Sequence, residues 1–347
     1  MTAETDEAFP GAEDRADWRI YRGTGQPFDD IGRLPEPPLW RRFGGVPPAS
    51  DQPAVDPVAA RRAHGYEITD EAIEMVNAAL YLRRPLLVTG KPGTGKSTLA
   101  YSIAFELMLG NVIYWPISSS SELHDGLYRY DAIGRLQEAN LIGTVAGDAG
   151  RQLPDIGRYV TLGPLGTALV PRRRPRVLLI DELDKSDIDL PNDLLNVVEE
   201  GRFEIPELAR LPEGQREVEV STVDQGDRIR LVGGELACSS FPIIIITSND
   251  EREFPPAFLR RCVRLDLRPP DEAALARIVE SLLGAEALRR SDDLVNRFLA
   301  VRAQGDVATD QLLNAIYLVT AGIAPPEAAR ARLSQSLIRD LNAAATP

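Results

Sequence analysis

Cysteine is almost absent from this sequence: Cys238 and Cys262 are the only two, with no ligand spacing and too few for a disulfide framework. A reducing cytoplasm is the compartment this usage leads one to expect. Histidine is as scarce, with His64 and His124, which argues against a metal centre built on imidazoles. No apolar run approaches membrane-spanning length, and the opening residues are polar and acidic rather than an apolar signal segment. There is no internal repeat. Positive charge is also in deficit: the net charge of −13 argues against a nucleic-acid-binding surface, although a local basic groove could escape that average.

What the chain does have, over 347 residues, is length for one large domain and a smaller one. Everything else is arranged around Leu86–Thr98, which reads LLVTGKPGTGKST. Leu86, Leu87 and Val88 make a short buried strand. The loop Gly90-Lys91-Pro92-Gly93-Thr94-Gly95-Lys96-Ser97 then fits G-x-x-x-x-G-K-[ST] at every fixed position. Ser97–Leu109 lacks Pro and Gly and reads as a helix, closed by Gly110. Glycines let backbone N–H groups turn inward toward phosphate oxygens, and the helix N-terminus adds a positive dipole end. Lys96 can reach the β- and γ-phosphates and the Ser97 hydroxyl can ligate Mg²⁺. Gly90, Pro92, Gly93, Thr94, Gly95, Lys96, Ser97 and Thr98 are therefore the candidate nucleotide-binding residues.

The second half of the candidate site is Val177-Leu178-Leu179-Ile180-Asp181-Glu182. Four apolar residues form a fully buried strand that delivers two carboxylates at its C-terminal end. Asp181 suits the Mg²⁺ shell, and Glu182 suits orienting and activating a water. Ile243–Ile246 is another buried strand, ending in Thr247-Ser248-Asn249; the Asn249 amide there can hold the water or the γ-phosphate. Leu259-Arg260-Arg261-Cys262 follows, before a short strand over Val263–Leu267. No Asn-Lys-x-Asp base-reading motif is present, so ATP is favoured over GTP.

The flanks are less regular. Nine prolines fall from Pro10 to Pro57, which suits either a disordered leader or an extended strap. Trp18, Tyr21, Phe28, Trp40 and Phe43 favour a strap docking on its own body, a neighbouring subunit or a partner. Ile68-Thr69-Asp70-Glu71 opens a helix, with Thr69 as cap and Ile68 stapled onto Ile73. Tyr66 to Ile68 is either a wall for an adenine base or ordinary packing at a helix start. Val112–Trp115 reads as a strand, Leu123–Leu162 as a long irregular insertion, and Pro171–Arg176 (PRRRPR) as a solvated turn. Nucleic-acid or subunit contact is the other reading of that turn. Glu217–Val223 and Arg228–Leu231 alternate polar and apolar as a hairpin, with Glu217 and Glu219 facing Arg228 and Arg230. Leu190–Glu200 is a helix stopped by Gly201. Asp271–Leu283, Ser291–Ala303, Thr309–Ala321 and Pro326–Leu341 complete a purely helical end.

From about Tyr66 onward these residues resemble the AAA+ ATPases, and within them the MoxR branch. Gly90–Ser97 is similar to Walker A, Val177–Glu182 to Walker B and the Asn249 strand end to sensor 1. Leu259-Arg260-Arg261 resembles the box carrying the arginine finger, with Arg261 in the finger's place. Leu162-Gly163-Pro164-Leu165, the 123–162 insertion and the 217–231 hairpin sit where MoxR proteins carry a GP segment, a helix-2 insert and a pre-sensor-1 hairpin. The resemblance implies an α/β parallel-sheet P-loop core over residues 65–267 and a small all-helical lid over 268–347, preceded by a Pro-rich extension over 1–64. It further implies Mg-ATP bound between subunits of a homo-oligomeric ring, commonly a hexamer. Glu182, Asn249, Arg261 and Arg260 are its candidate catalytic residues, and Ser97 and Asp181 its metal ligands. Tyr66 and Ile68 stay candidate base contacts. Remodelling of protein partners, often ones with von Willebrand factor A domains, is the expected work. One departure is plain: Ala308-Thr309-Asp310-Gln311 stands where a sensor-2 arginine is often found.

Overall fold

The computed structural model describes residues 18–49, 52, 54–146, 154–303 and 307–320. Eleven strands occur among them, taken in chain order as β1 (Leu86–Thr89), β2 (Ile113–Pro116), β3 (Tyr128–Tyr130), β4 (Val160–Leu162), β5 (Val177–Asp181), β6 (Arg202–Glu204), β7 (Glu217–Ser221), β8 (Arg228–Val232), β9 (Glu235–Ala237), β10 (Ile243–Thr247) and β11 (Val263–Asp266). Five of them form one wholly parallel sheet in the order β11-β1-β10-β5-β2. The other six form a second sheet, β3-β4-β7-β8-β9-β6, which is antiparallel except where Thr161 of β4 meets Ser221 of β7.

The unbroken apolar runs follow from burial on both faces. In β5, Leu178 and Ile180 enter one core together with Leu87, Ile244, Ile246 and the second sheet. Val177 and Leu179 enter the other, with Leu86, Val88, Ile243 and Ile245. Alternate residues serve opposite layers, so no polar position is left in the strand until its end. Because β1, β10 and β5 are adjacent and parallel, their C-terminal ends open on one edge, where ligands sit in such sheets.

The helical end has its own core of Leu275, Val279, Phe298, Leu312 and Ile316. The helix Glu272–Leu283 is capped by Asp271, whose side chain accepts from the Ala274 N–H, and stops at Gly284. An extra short helix, Ala285–Arg289, comes next, and Asp292–Arg302 and Thr309–Thr320 then follow where expected. The expected helix Pro326–Leu341 lies outside the described residues.

The stretch from Trp18 to Arg42 lies along the body as a strap. Ile20 and Tyr21 are fully buried, and both N–H groups donate to the Asn77 side chain. The buried Glu106 carboxylate accepts from the backbone N–H of Arg22, Gly23, Thr24 and Gly25 at 2.6 to 3.1 Å. Of the five aromatics that pointed to docking, Tyr21, Phe28 and Phe43 pack inward while Trp18 and Trp40 stay exposed.

Three expectations need correcting. Residues 123–162 are not simply irregular: helices Leu123–Leu127 and Ala132–Ala146 and strands β3 and β4 lie there, each too short or too weakly periodic to announce itself. The helix after the Gly90–Gly95 loop runs Lys96–Glu106 and ends early, with Met108 at φ 53 and the Ala54 backbone bonding Met108 and Gly110. The PRRRPR arginines are not a solvated turn either. Arg172 pairs with Asp227, Arg174 with Asp29 and Arg176 with Asp224, while Arg173 donates to the Pro48 carbonyl. They clasp the β7–β8 hairpin and the N-terminal stretch to the base of the sheet.

Candidate functional site

The loop from Gly90 to Gly95 joins β1 to the helix Lys96–Glu106, and all three of its glycines are forced by close approach, Gly90 (φ 138) by the Leu267 carbonyl oxygen, 2.4 Å from where a Cβ would stand. A Cβ at Gly93 (φ 76) would lie 2.4 Å from the Ala308 Cβ, and one at Gly95 (φ 89) would lie 2.8 Å from the Tyr66 ring. The loop is thus held between the lid, at Ala308, and the Tyr66 ring. The Tyr66 ring lies against the loop at Gly95, whereas Ile68 packs on Gly23 of the strap. Pro92 is exposed, Thr94 donates to the Lys91 carbonyl at 3.0 Å, and Thr98 faces partly outward on the helix.

Lys96 is buried, and its Nζ donates to the Gly90 carbonyl at 2.6 Å, the Lys91 carbonyl at 3.0 Å and Asn249 Oδ1 at 2.8 Å. Burial lowers its pKa from the ordinary lysine value, against the pull of Asp184, Asp250, Asp181 and Glu182. At the end of β5, three hydroxyls converge on Asp181: Ser97 and Thr247 each donate to Oδ1 at 2.7 Å, and Tyr114 donates to Oδ2 at 3.2 Å. Glu182 follows in the left-handed region (φ 61, ψ 50), with its N–H held by Thr247 Oγ1 at 2.8 Å. Such a conformation in a non-glycine residue costs energy and is often kept where a side chain must be aimed. The Glu182 carboxylate is half-exposed, with Lys185 at 2.6 Å and the Asn249 amide at 3.4 Å.

Lys96, Ser97, Asp181, Glu182 and Asn249 are therefore brought together at the ends of β1, β5 and β10. Arg260 and Arg261 are not part of this group. Arg261 is ion-paired with Glu199 and also donates to the Ala257 carbonyl at 3.1 Å. Arg260 is exposed on the turn after the helix Pro256–Leu259. No group of histidine, cysteine or acidic side chains that could by itself hold a metal occurs among the described residues.

Sequence reasoning missed three residues here. Asp184 is buried, and its Oδ2 accepts from the N–H groups of Asn249 at 2.8 Å and Glu251 at 3.2 Å, so it positions the asparagine. Its signal was the third acid of Asp181-Glu182-Leu183-Asp184. Thr247 was signalled as the first polar residue after four isoleucines. Tyr114 was signalled as the outward position of an alternating edge strand. In the lid, Asp310 lies in the first turn of Thr309–Thr320 with no arginine beside it at the helix start. Arg302 instead lines the small crevice between the lid and residues Lys91–Thr94.

A family model described as AAA domain (dynein-related subfamily) matches residues 85–262, just over half of the chain. The chain belongs to this AAA family. The matched range runs from the residue before β1 to Cys262, and so holds the whole cluster just described and both arginines. The chain is also similar to the Chaperone protein ClpB of Nitratidesulfovibrio vulgaris, 28% identical over 274 aligned residues, with 74% of this chain covered. The chain spans 28% of the length of that relative. Family membership makes nucleotide binding and ATPase activity the family-level function, and the parallel sheet followed by helices is the α/β P-loop fold expected. No helix among the described residues is long and apolar enough to cross a membrane.

Proposed function

We propose that this AAA protein binds Mg-ATP on the Gly90–Ser97 loop, hydrolyses it with Glu182, and uses the cycle to remodel or activate partner proteins. The convergence of Ser97, Thr247 and Tyr114 on Asp181, one loop away from Lys96, carries this reading. Four carboxylates surround the buried Lys96 amine, a field that repels a triphosphate unless a divalent cation accompanies it. The donor set fits Mg²⁺, which takes one or two protein oxygens beside phosphates and water. Ser97 Oγ and Asp181 would hold it, and the ion would neutralise charge on the transferring phosphoryl group.

The chain's own groups do the rest. Lys96 exchanges its carbonyl partners for phosphate oxygens, a gain because those oxygens carry charge and the carbonyls do not. Asn249, fixed by Asp184, sits between Lys96 and Glu182 and can report the γ-phosphate to the carboxylate. Glu182 accepts a proton from, or orients, the attacking water. Tyr66 covers one side of the loop as a base contact, with Ile68 kept as structural support.

We further assign the chain to a ring of identical subunits, hexameric by family resemblance, with ATP between neighbours and Arg261 or Arg260 reaching across. Arg261 is tied to Glu199 in the subunit as it stands, so it must change partner to serve a neighbour's nucleotide. The MoxR branch, a von Willebrand factor A domain partner, a cytoplasmic site of action and domain limits at 64 and 267 belong to the same reading. The clasped PRRRPR arginines favour a protein substrate over nucleic acid.

A second reading has a specific observation behind it. The lid start lacks an arginine and Arg261 is occupied, which suits a nucleotide-gated scaffold with little turnover. Mixing Arg261→Ala with Lys96→Ala subunits separates the two. Under the hydrolytic shared-site reading the mixture regains activity, since one variant supplies intact loops and the other intact fingers. A mixture that co-assembles and stays inactive contradicts it.

A further inference from the structure

At the N-terminal ends of β1 and β10, on the edge of the sheet opposite the phosphate loop, the strap roofs a cavity of about 500 Å³. That volume falls in the range of small-ligand sites, roughly 300–1,000 Å³. Five arginines line it: Arg41, Arg83, Arg84, Arg173 and Arg174. The one acidic residue in its lining is Glu36, which is largely exposed and turned to Arg42 at 3.5 Å.

The guanidinium donors are mostly satisfied by groups that bring no charge. Arg41 donates to the Val198 carbonyl at 2.9 Å, Arg83 to the Pro35 carbonyl at 2.7 Å, Arg84 to the Arg260 carbonyl at 3.2 Å and Arg173 to the Pro48 carbonyl at 2.9 Å. Only Arg174 has a carboxylate in direct contact, Asp29 at 2.6 Å; the other four have no direct ion pair among the described residues, and Glu199, itself paired with Arg261, pulls on Arg41 and Arg84 from farther off. Carbonyl oxygens meet the hydrogen-bonding need and leave the charges in place. Burial lowers the pKa of Arg41 and of Arg83 from the ordinary arginine value; the Glu199 charge opposes this at Arg41 and Tyr81 at Arg83, while Arg84 and Arg261 press Arg41 further down. Arginine does not shed its proton at these pH values, so an anion is what relieves the field.

Two further features make this a built site. Arg83 sits in the left-handed region (φ 52, ψ 45) at the end of the helix Asp70–Leu82, a place where glycine is the unstrained choice. Beneath the arginines the cavity is apolar, with Leu86, Ile243 and Phe241, whose ring stacks on Phe43 at 5.4 Å between centroids.

We propose that this cavity binds a small organic phosphate, its phosphoryl groups gripped by Arg83, Arg84 and Arg173 and its apolar or aromatic body laid against Phe241 and Ile243. Planar guanidinium forks match phosphate oxygens two at a time, and an apolar floor adds nothing for a bare anion. This site is separate from the Gly90–Ser97 loop and does not depend on how that loop is read.

Calorimetric titration of the full chain with ADP tests it. The wild type should show two classes of site, and Lys96→Ala should keep the second. In the Lys96→Ala background, Arg83→Gly and Arg173→Glu should each weaken that second site by about tenfold or more, the scale of one charge-assisted hydrogen bond. Arg83→Gly preserves the left-handed backbone, and Arg173 is exposed, so at least one of the two should melt as the parent does. Pyrophosphate should compete with ADP for the second site at about tenfold lower affinity, since it lacks the body that meets the floor. Four results overturn the proposal: no ADP bound by Lys96→Ala, a second class indifferent to both arginine changes, pyrophosphate as tight as ADP, or a tetraglutamate peptide binding at least as tightly as ADP.

Discussion

The sequence Gly-Thr-Gly occurs twice in parts of this protein that surround a charge, and the two copies do opposite things. In the strap, Gly23-Thr24-Gly25 turns its amides inward onto the Glu106 carboxylate, with Thr24 N–H at 2.6 Å and Gly25 N–H at 3.1 Å. In the phosphate loop, Gly93-Thr94-Gly95 surrounds no acid; the neighbouring Lys96 amine is bonded to the loop's own carbonyls at Gly90 and Lys91. The first cradle is filled from within the chain and is a structural joint. The second holds no acid and opens on a helix N-terminus, and the Lys96 amine beside it hydrogen-bonds only neutral oxygens, of Gly90, Lys91 and Asn249, so its loop amides are left for an anion from outside. The teaching is that an anion cradle by itself says nothing about function; what already fills it does.

The sharpest way to break this comparison is to remove the central charge of each cradle. Lys96→Ala should lower ATP affinity by at least about 100-fold, since several charge-assisted bonds are lost together. Glu106→Ala should leave ATP affinity near the parent value, and equilibrium dialysis measures both. An Lys96→Ala protein that binds ATP normally would make the second cradle as structural as the first.

Stability should respond in the reverse sense. Glu106→Ala strands four strap amides, and denaturant titration should show a loss of about 3 kcal/mol, the scale of a buried charge-assisted network losing its acceptor. A change under about 1 kcal/mol would mean that Tyr21 and Asn77 hold the strap without it.

A smaller effect concerns the lid over Gly93. Asp310→Arg places a cation at the helix start nearest the loop and should tighten ATP binding several-fold, measured by the same dialysis. No change would leave Asp310 as a favourable first-turn acid on its helix.

The smallest effect concerns Glu199. The hydrogen bond from Arg261 holds its carboxyl below the ordinary 4.5, outweighing the upward push of burial. A depressed folded-state pKa means the pair stabilises above that ordinary value and loses its contribution as the pH falls through the depressed one. Wild type and Glu199→Gln should therefore differ in melting temperature at neutral pH and converge in acid. The difference should stay under about 1 kcal/mol, because both partners are partly exposed. A gap that persists in acid would show that the pair does not titrate as described.

Much of the nucleotide-site side of the comparison was legible in the sequence, because its signals are local. Four apolar residues ending in Asp181-Glu182 give a buried strand and its functional edge, and Leu190–Glu200 with Pro191 in its first turn and Gly201 as its stop matched the structure residue for residue. The strap side was not legible. Nothing around Gly23 says that Glu106, more than 80 positions away, will meet it. Asp184 was unread for the same reason, since its partner Asn249 arrives from another strand. The helix after the loop was overextended because Met108 adopts a left-handed turn set by the Ala54 backbone, a tertiary constraint with no local mark. Arg261 was placed by resemblance, and only the fold shows Glu199 holding it.

The central claim is that the Gly90–Ser97 loop, Asp181 and Glu182 form one hydrolytic site, and Glu182→Gln tests it most directly. The substitution keeps the side chain's shape and leaves Ser97 and Asp181 in place while removing the carboxylate that activates water. Steady-state phosphate release and ATP binding should be measured on the same preparation. The account predicts unchanged affinity and turnover slower by at least about 100-fold, the scale of losing a positioned base. Turnover equal to the wild type would contradict it, and would put the catalytic carboxylate elsewhere.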